Sequence, residues 1–115
     1  MRVLVIMDRP MGSLHPVYGF TYPVNYGHLL DELAGDGEEQ DAYVLGLSGP
    51  MLAYEGVVRA VILRADDLED KLVVTPEDYW PTREEISQAV AFQEQYFVSS
   101  VFMPGDPPEG GPIKP

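Results

Sequence analysis

Apolar positions along the chain fall into short runs, each closed by turn-forming residues, and one later stretch repeats at helical spacing. Val3-Leu4-Val5-Ile6-Met7 is continuous and β-branched, the pattern of a buried strand, and Asp8 to Ser13 ends it with turn residues. Ala42 to Leu47 reads as a second strand, turned by Ser48-Gly49-Pro50. Glu55 to Ala65 is the longest strand candidate, and its second half reads as buried on both faces. Lys71 to Thr75 returns from it as a β-hairpin, with Asp66, Asp67, Glu69 and Asp70 at the tip. Pro76 to Pro81 is a loop. Thr82-Arg83-Glu84-Glu85 then spells a capping box, in which the Thr82 hydroxyl accepts from the amide of Glu85 and the Glu85 side chain reaches back. The helix it opens runs to about Val98, with Ile86, Ala89, Val90, Tyr96 and Phe97 along one stripe. From Pro104 the chain is rich in Pro and Gly and cannot continue a helix. The pattern predicts one domain over 1–103, a tail over 104–115, and an α+β, mainly β fold. That fold is a small, curved β-sheet or barrel with one C-terminal helix.

Composition narrows the function classes. With 115 residues, 45% of them hydrophobic, the chain suits one globular core. Its formal charge of −12 argues against nucleic acid and anionic membrane as partners. The absence of cysteine excludes disulfides and thiolate metal sites. No long apolar run or signal peptide is visible, so a cytoplasmic protein is expected.

Candidate chemistry concentrates in Tyr22 to Asp41, YPVNYGHLLDELAGDGEEQD. The run Asp36 to Asp41 holds four carboxylates in six residues and reads as a poor strand or helix interior. At about 5 Å and an effective dielectric near 20, each like-charged pair costs roughly 3 kcal/mol. A solvated loop relieves this by spreading the charges, and a divalent cation by drawing them together. Oxygen ligands of this kind suit Mg²⁺ or Mn²⁺ better than zinc.

YPVNYG followed by DGEEQD resembles the signature of the soluble (family I) inorganic pyrophosphatases. That family carries Tyr-Pro-x-Asn-Tyr-Gly and then Asp-x-Asp-Pro-x-Asp, at the separation found between Tyr26 and Asp36. The acidic hairpin matches the family's second acidic cluster. Lys71 falls on a phosphate-binding lysine and Glu69 on a metal carboxylate. A further metal carboxylate would fall on Arg64, or on Asp66 or Asp67 with a shifted loop. Phe92-Gln93-Glu94-Gln95-Tyr96-Phe97 matches a Phe-x-Glu-x-Tyr-Lys pattern, with Phe97 in place of the lysine. Tyr96 is open to two readings, a core residue or a ligand-facing one. Where the family has Lys-Tyr-Glu this chain has Pro16-Val17-Tyr18, and neither function transfers. A phosphate-binding arginine before Tyr22 has no counterpart. Arg9 and His15 are candidates to compensate, and each also reads as an ordinary surface residue, as does His28.

The resemblance implies an OB-like barrel and Mg²⁺-dependent hydrolysis of pyrophosphate by a metal-activated water, with Mn²⁺ as the alternative ion. Asp36, Asp41, Asp66, Asp67 and Glu69 are the implied metal-ligand candidates. Glu38 stands at the position of the base, with Tyr26 and Lys71 beside it in catalysis. Lys71, Tyr22, Tyr26, Tyr96 and Arg9 are the substrate-binding candidates. Two rival readings stay open: a hydrolase of another small phosphoanhydride, and a non-catalytic metal or phosphate binder. The short connection before Tyr22 predicts a barrel with an open edge, covered by a second copy of the chain near Phe20.

Overall fold

The computed structural model describes residues 1–33, 39–65 and 70–106, the side chains of 31–33 excepted. Among the described residues six strands and one helix follow in the order β1 (Arg2–Arg9), β2 (Asn25–Leu33), β3 (Glu39–Val44), β4 (Ala53–Arg64), β5 (Lys71–Thr75), α1 (Arg83–Glu94) and β6 (Ser99–Phe102). The sheet order is β1-β2-β3-β5-β4-β6, and β1 also pairs with β4. That extra pairing closes β1, β2, β3, β5 and β4 into a five-stranded barrel. All pairings are antiparallel except β3 with β5. The OB-like barrel with a C-terminal helix is therefore the fold of the chain.

Strand β4, 12 residues long, makes this possible. Its first half, Ala53–Val57, pairs with β1, and its last four residues, Val61–Arg64, pair with β6. The barrel thus closes within one chain, and among the described residues its five strands leave no open edge of the kind expected from the short connection. Phe20, expected at an interface, is partly buried against its own chain, edge-on to Phe92 at 5.4 Å.

Side chains on the two faces of the central strands feed two cores. Val5, Met7, Leu29, Ala42, Val44 and Val74 form one cluster inside the barrel. Tyr43, Ala60, Ile62 and Val73 point the other way and meet Ile86 and Val90 of α1. Burying Ile86 and Val90 stabilises the helix by roughly 1.5–3 kcal/mol each. The parallel pair β3–β5 is covered on both faces, as parallel strands require. The second half of β4 alternates instead: Ile62 is buried while Val61 and Leu63 are only half-buried.

The capping box forms as its sequence predicts, with Glu85 N donating to Thr82 Oγ1 at 3.1 Å and Thr82 N to Glu85 Oε1 at 2.8 Å. The helix ends at Glu94, short of the expected Val98. Ser99–Phe102 adds to the overhang of β4, and Ala65 N donates to Val98 O at 2.8 Å, so sheet pairing competes with helix continuation and wins. Strand β2 was not expected at all, and β3 begins within the acidic run, at Glu39. Both are held by partners far away in sequence. Gly27 shows how closely: a Cβ there would lie 2.0 Å from Ile6 O of β1. Asn25, fully buried, accepts from Met11 N at 2.9 Å and Met51 N at 3.1 Å and donates to Gly49 O at 3.0 Å. The Asn and the Gly of YPVNYG are thus structural, tying two turns and two strands together.

Candidate active site

Strand ends, the 12–22 loop and the last turn of α1 line an open cavity of about 620 Å³. Asp8 and Arg9 reach it from β1, Tyr26 from β2 and Asp41 from β3. Arg64 ends β4 and Lys71 begins β5, and both line it. His15, Tyr18 and Tyr22 come from the loop, and Gln93 and Phe97 from the helix end.

The register of β3 and β5 places Ala42 beside Leu72, so Asp41 and Lys71, one residue earlier on each strand, are neighbours. Lys71 Nζ donates to Asp41 Oδ2 at 2.8 Å. Tyr26 Oη donates to the same oxygen at 2.9 Å. Burial, and then the charge of Asp41, push the Tyr26 pKa far up, so its phenol stays protonated and remains a donor. Lys71 is almost wholly buried, whereas the Asp41 side chain keeps 26% of its exposure.

A second polar chain runs behind the first. Tyr22 Oη donates to Gln93 Oε1 at 2.9 Å, and Gln93 Nε2 to Tyr43 Oη at 2.8 Å. Tyr43 Oη donates to Glu94 Oε2 at 2.5 Å, and the same carboxylate receives Arg64 in a fork, Nε to Oε1 at 3.2 Å and Nη2 to Oε2 at 2.8 Å. Burial lowers the Arg64 pKa, but the hydrogen bonds and charge of Glu94 more than reverse this, so the net shift is up. Burial also drives the Tyr43 phenol well up, with the Glu94 charge adding to it. The guanidinium lies 3.7 Å over the Phe97 ring.

Arg9 differs from these cations. Among the described residues it has no carboxylate partner, and it sits against the Tyr22 hydroxyl. Burial raises the Tyr22 pKa, and Arg9 partly opposes that rise. Asp8, beside Arg9, is taken by His28 at 2.9 Å.

Of the residues singled out from sequence, Tyr22, Tyr26, Asp41, Lys71 and Arg9 share this cavity. Tyr96 does not line it. It lies beyond the helix, half-exposed, stacked on Tyr18 at 4.4 Å, and so is neither a core residue nor a wall of the site. Asp36, Glu38, Asp66, Asp67 and Glu69 lie outside the described residues. Arg64, Glu94, Gln93 and Tyr43 were not foreseen as a network. The match of Glu94 to the Phe-x-Glu-x-Tyr-Lys pattern was the only trace of it.

Both donors to Asp41 reach Oδ2, and among the described residues none reaches Oδ1. That oxygen and the Asp8 carboxylate are hard donors that suit Mg²⁺ or Mn²⁺ in kind. Among the described residues no three His, Asp or Glu side chains gather into a metal-binding cluster.

No family model and no curated protein matches the chain. Solved structures do. The chain is similar in fold to an inorganic pyrophosphatase from Ehrlichia chaffeensis, with a TM-score of 0.71 at 16% identity over 89% of this chain and 85% of that one. It is also similar to inorganic pyrophosphatases from Helicobacter pylori and Neisseria gonorrhoeae. Their TM-scores are 0.60 and 0.59, at 17% and 18% identity. Each comparison covers 90% of this chain, and 82% and 80% of those chains respectively. The architecture is therefore that of the inorganic pyrophosphatases. Among the described residues no helix is long and apolar enough to cross a membrane.

Proposed function

We propose that the chain is a divalent-metal-dependent hydrolase that splits inorganic pyrophosphate into two phosphates. One observation carries this reading: a single cavity joins Arg9, a guanidinium with no carboxylate partner among the described residues, to a carboxylate held in place by two donors, Asp41. An anion with several negative charges fits the first, and a hard cation fits the second. The shared fold supports the same reading.

Asp41, with Asp36, Asp66, Asp67 and Glu69, would hold the ion, Mg²⁺ or Mn²⁺. Bound there, the ion would supply charge neutralisation and a more acidic water. Tyr26 and Lys71 fix the Asp41 carboxylate in one orientation. Arg9 holds the phosphate whose charge grows as it leaves, with the Tyr22 hydroxyl beside it. Glu38 takes the proton from the attacking water. The water oxygen bonds to one phosphorus, the bridging P–O bond breaks, and its electron pair leaves on the second phosphate.

A non-catalytic anion binder is the second reading. It is favoured by the pairing of Arg64 with Glu94 and of Lys71 with Asp41, which leaves few cations for a leaving group. Phosphate release from pyrophosphate with Mg²⁺ decides between them. Turnover abolished by chelation supports the hydrolase. Tight pyrophosphate binding without turnover establishes the binder.

A further inference from the structure

One hydroxyl in the cavity has its direction set from behind. The Glu94 carboxylate, forked by Arg64, can only accept, so Tyr43 Oη donates to it, at 2.5 Å. Tyr43 Oη then has only lone pairs left, and Gln93 turns its amide nitrogen toward it, at 2.8 Å. That fixes the amide. Its carbonyl, Oε1, faces Tyr22, which donates to it at 2.9 Å. Tyr22, Tyr43, Gln93 and Glu94 are all buried, so each of these bonds is costly to forgo. The Tyr22 proton is thereby committed away from the cavity, and its oxygen presents a lone pair there. A phosphate oxygen is also an acceptor and gains nothing from it. A guanidinium does. Arg9 lines the same cavity and sits against the Tyr22 hydroxyl. The backbone keeps the two together: in the turn that follows Arg9, Gly12 N donates to Tyr22 O at 2.8 Å, and Tyr22 N donates to Ser13 O at 2.8 Å.

We propose that Gln93 is a positioning residue for the anion grip: by accepting from Tyr22 Oη it makes the Tyr22 oxygen an acceptor that holds the Arg9 guanidinium at the cavity wall. This deepens the hydrolase reading and rests on the part of it that seats an anion on Arg9. Tyr22 serves the anion through Arg9 and offers it no proton. Arg9 has no ion pair among the described residues to hold it. Fixing so long a side chain beforehand lowers the cost of ordering it when the anion arrives.

The test is a double-variant cycle, read by ³¹P NMR titration of the non-hydrolysable probe methylenediphosphonate with Mg²⁺ on the whole chain. Gln93→Met keeps the length of the side chain and loses both amide contacts. It should weaken binding roughly 2- to 10-fold, the worth of one neutral hydrogen bond. In the Arg9→Ala background the same change should have no effect, because the residue it acts through is gone. A merely structural Gln93 would weaken both backgrounds alike, and that result overturns the inference. Unaltered binding by Gln93→Met also overturns it. Should Gln93→Met fail to fold, Tyr22→Phe, which removes only the acceptor oxygen, takes its place in the cycle with the same expectations. Pyrophosphate turnover of the unaltered chain is measured alongside. No turnover with the coupling intact ends the hydrolase reading and leaves the inference standing, and turnover with additive variants does the reverse. If methylenediphosphonate does not bind, no anion sits on Arg9 and the inference falls, while turnover alone decides the hydrolase reading.

Discussion

Two buried ion pairs stand against one cavity and differ in what surrounds them. Arg64–Glu94 is sealed: both side chains are 5% exposed, the fork is bidentate, and Tyr43 fills a further position on the carboxylate. Lys71–Asp41 is sealed on the lysine side only, and Asp41 opens on the cavity. In the sealed pair every strong acceptor site has a protein donor, and little is left for a ligand. In the open pair the lysine and a tyrosine share one carboxylate oxygen, and among the described residues no donor reaches the other. The sealed pair is therefore closed to a ligand, and the open pair leaves its carboxylate within reach of one.

Breaking the sealed pair should give the largest effect. Glu94→Ala leaves Arg64 charged and buried without the bidentate fork from Glu94, and should cost several kcal/mol of unfolding free energy, on the order of the 3–5 kcal/mol of a broken buried pair. Urea denaturation measures it. The double variant Arg64→Met, Glu94→Leu removes both charges, and Tyr43 keeps its bond from Gln93. It should cost much less than the single change, because the desolvation penalty goes with the pair. Equal costs for the single and double variants would mean that the pair is not a coupled unit.

Arg9→Ala comes next, and it tests the cation that has no ion pair among the described residues against the paired ones. Removing a charge-assisted contact costs roughly 1.5–3 kcal/mol, so kcat/KM for pyrophosphate should fall about 10- to 150-fold. Stability should hardly move, since Arg9 has no ion pair among the described residues to lose. If kcat/KM stays within twofold, the anion is gripped elsewhere.

The same contrast explains what was legible in the sequence. Tyr26, Asp41 and Lys71 stand at spacings that strand pairing turns into contacts, and the resemblance drew attention to them. Lys71–Thr75 and the capping box follow from local pattern alone. Arg64–Glu94 left no local signal, because the partners stand 30 residues apart, on a strand end and a helix end. Strand β2 was hidden for a similar reason. Gly27 and the acids Asp31 and Glu32 spoil its alternation, and it is a strand because β1 and β3 flank it. Strand β6 is four residues long and exists because β4 overhangs the barrel. Tyr96 was read as a helix residue, but that same overhang ends the helix before reaching it.

Lys71→Met should give a smaller loss of stability than Glu94→Ala, about 1–3 kcal/mol. The orphaned Asp41 keeps its bond from Tyr26 and reaches solvent through the cavity. Mg²⁺ affinity, read by calorimetry, should rise, because the ion no longer competes with an ammonium for the carboxylate. Lower affinity would show that Lys71 orients Asp41 more than it competes for it.

The smallest effect belongs to a third pair at the rim, His28–Asp8, which extends the comparison toward the solvent. His28 Nδ1 meets Asp8 at 2.9 Å, and Nε2 lies 3.5 Å from Glu39. The hydrogen bond that His28 donates to Asp8 raises the His28 pKa, desolvation opposes it, and the charges of Asp8, Glu39 and Asp41 add to the rise. A histidine whose folded pKa lies above its unfolded value of about 6.5 binds its proton more tightly when folded. Its stabilising contribution is complete below that unfolded value and is lost as pH rises through the folded value. His28→Gln should therefore destabilise the chain more at pH 6 than at pH 9, with the gap closing above neutrality. Because the Asp8 side chain is 47% exposed, the gap should be small beside the cost of Glu94→Ala. An NMR titration of His28 reads the cause directly. A midpoint at or below 6.5 would remove His28–Asp8 from the series of paired charges and leave Asp8 free to act at the cavity rim.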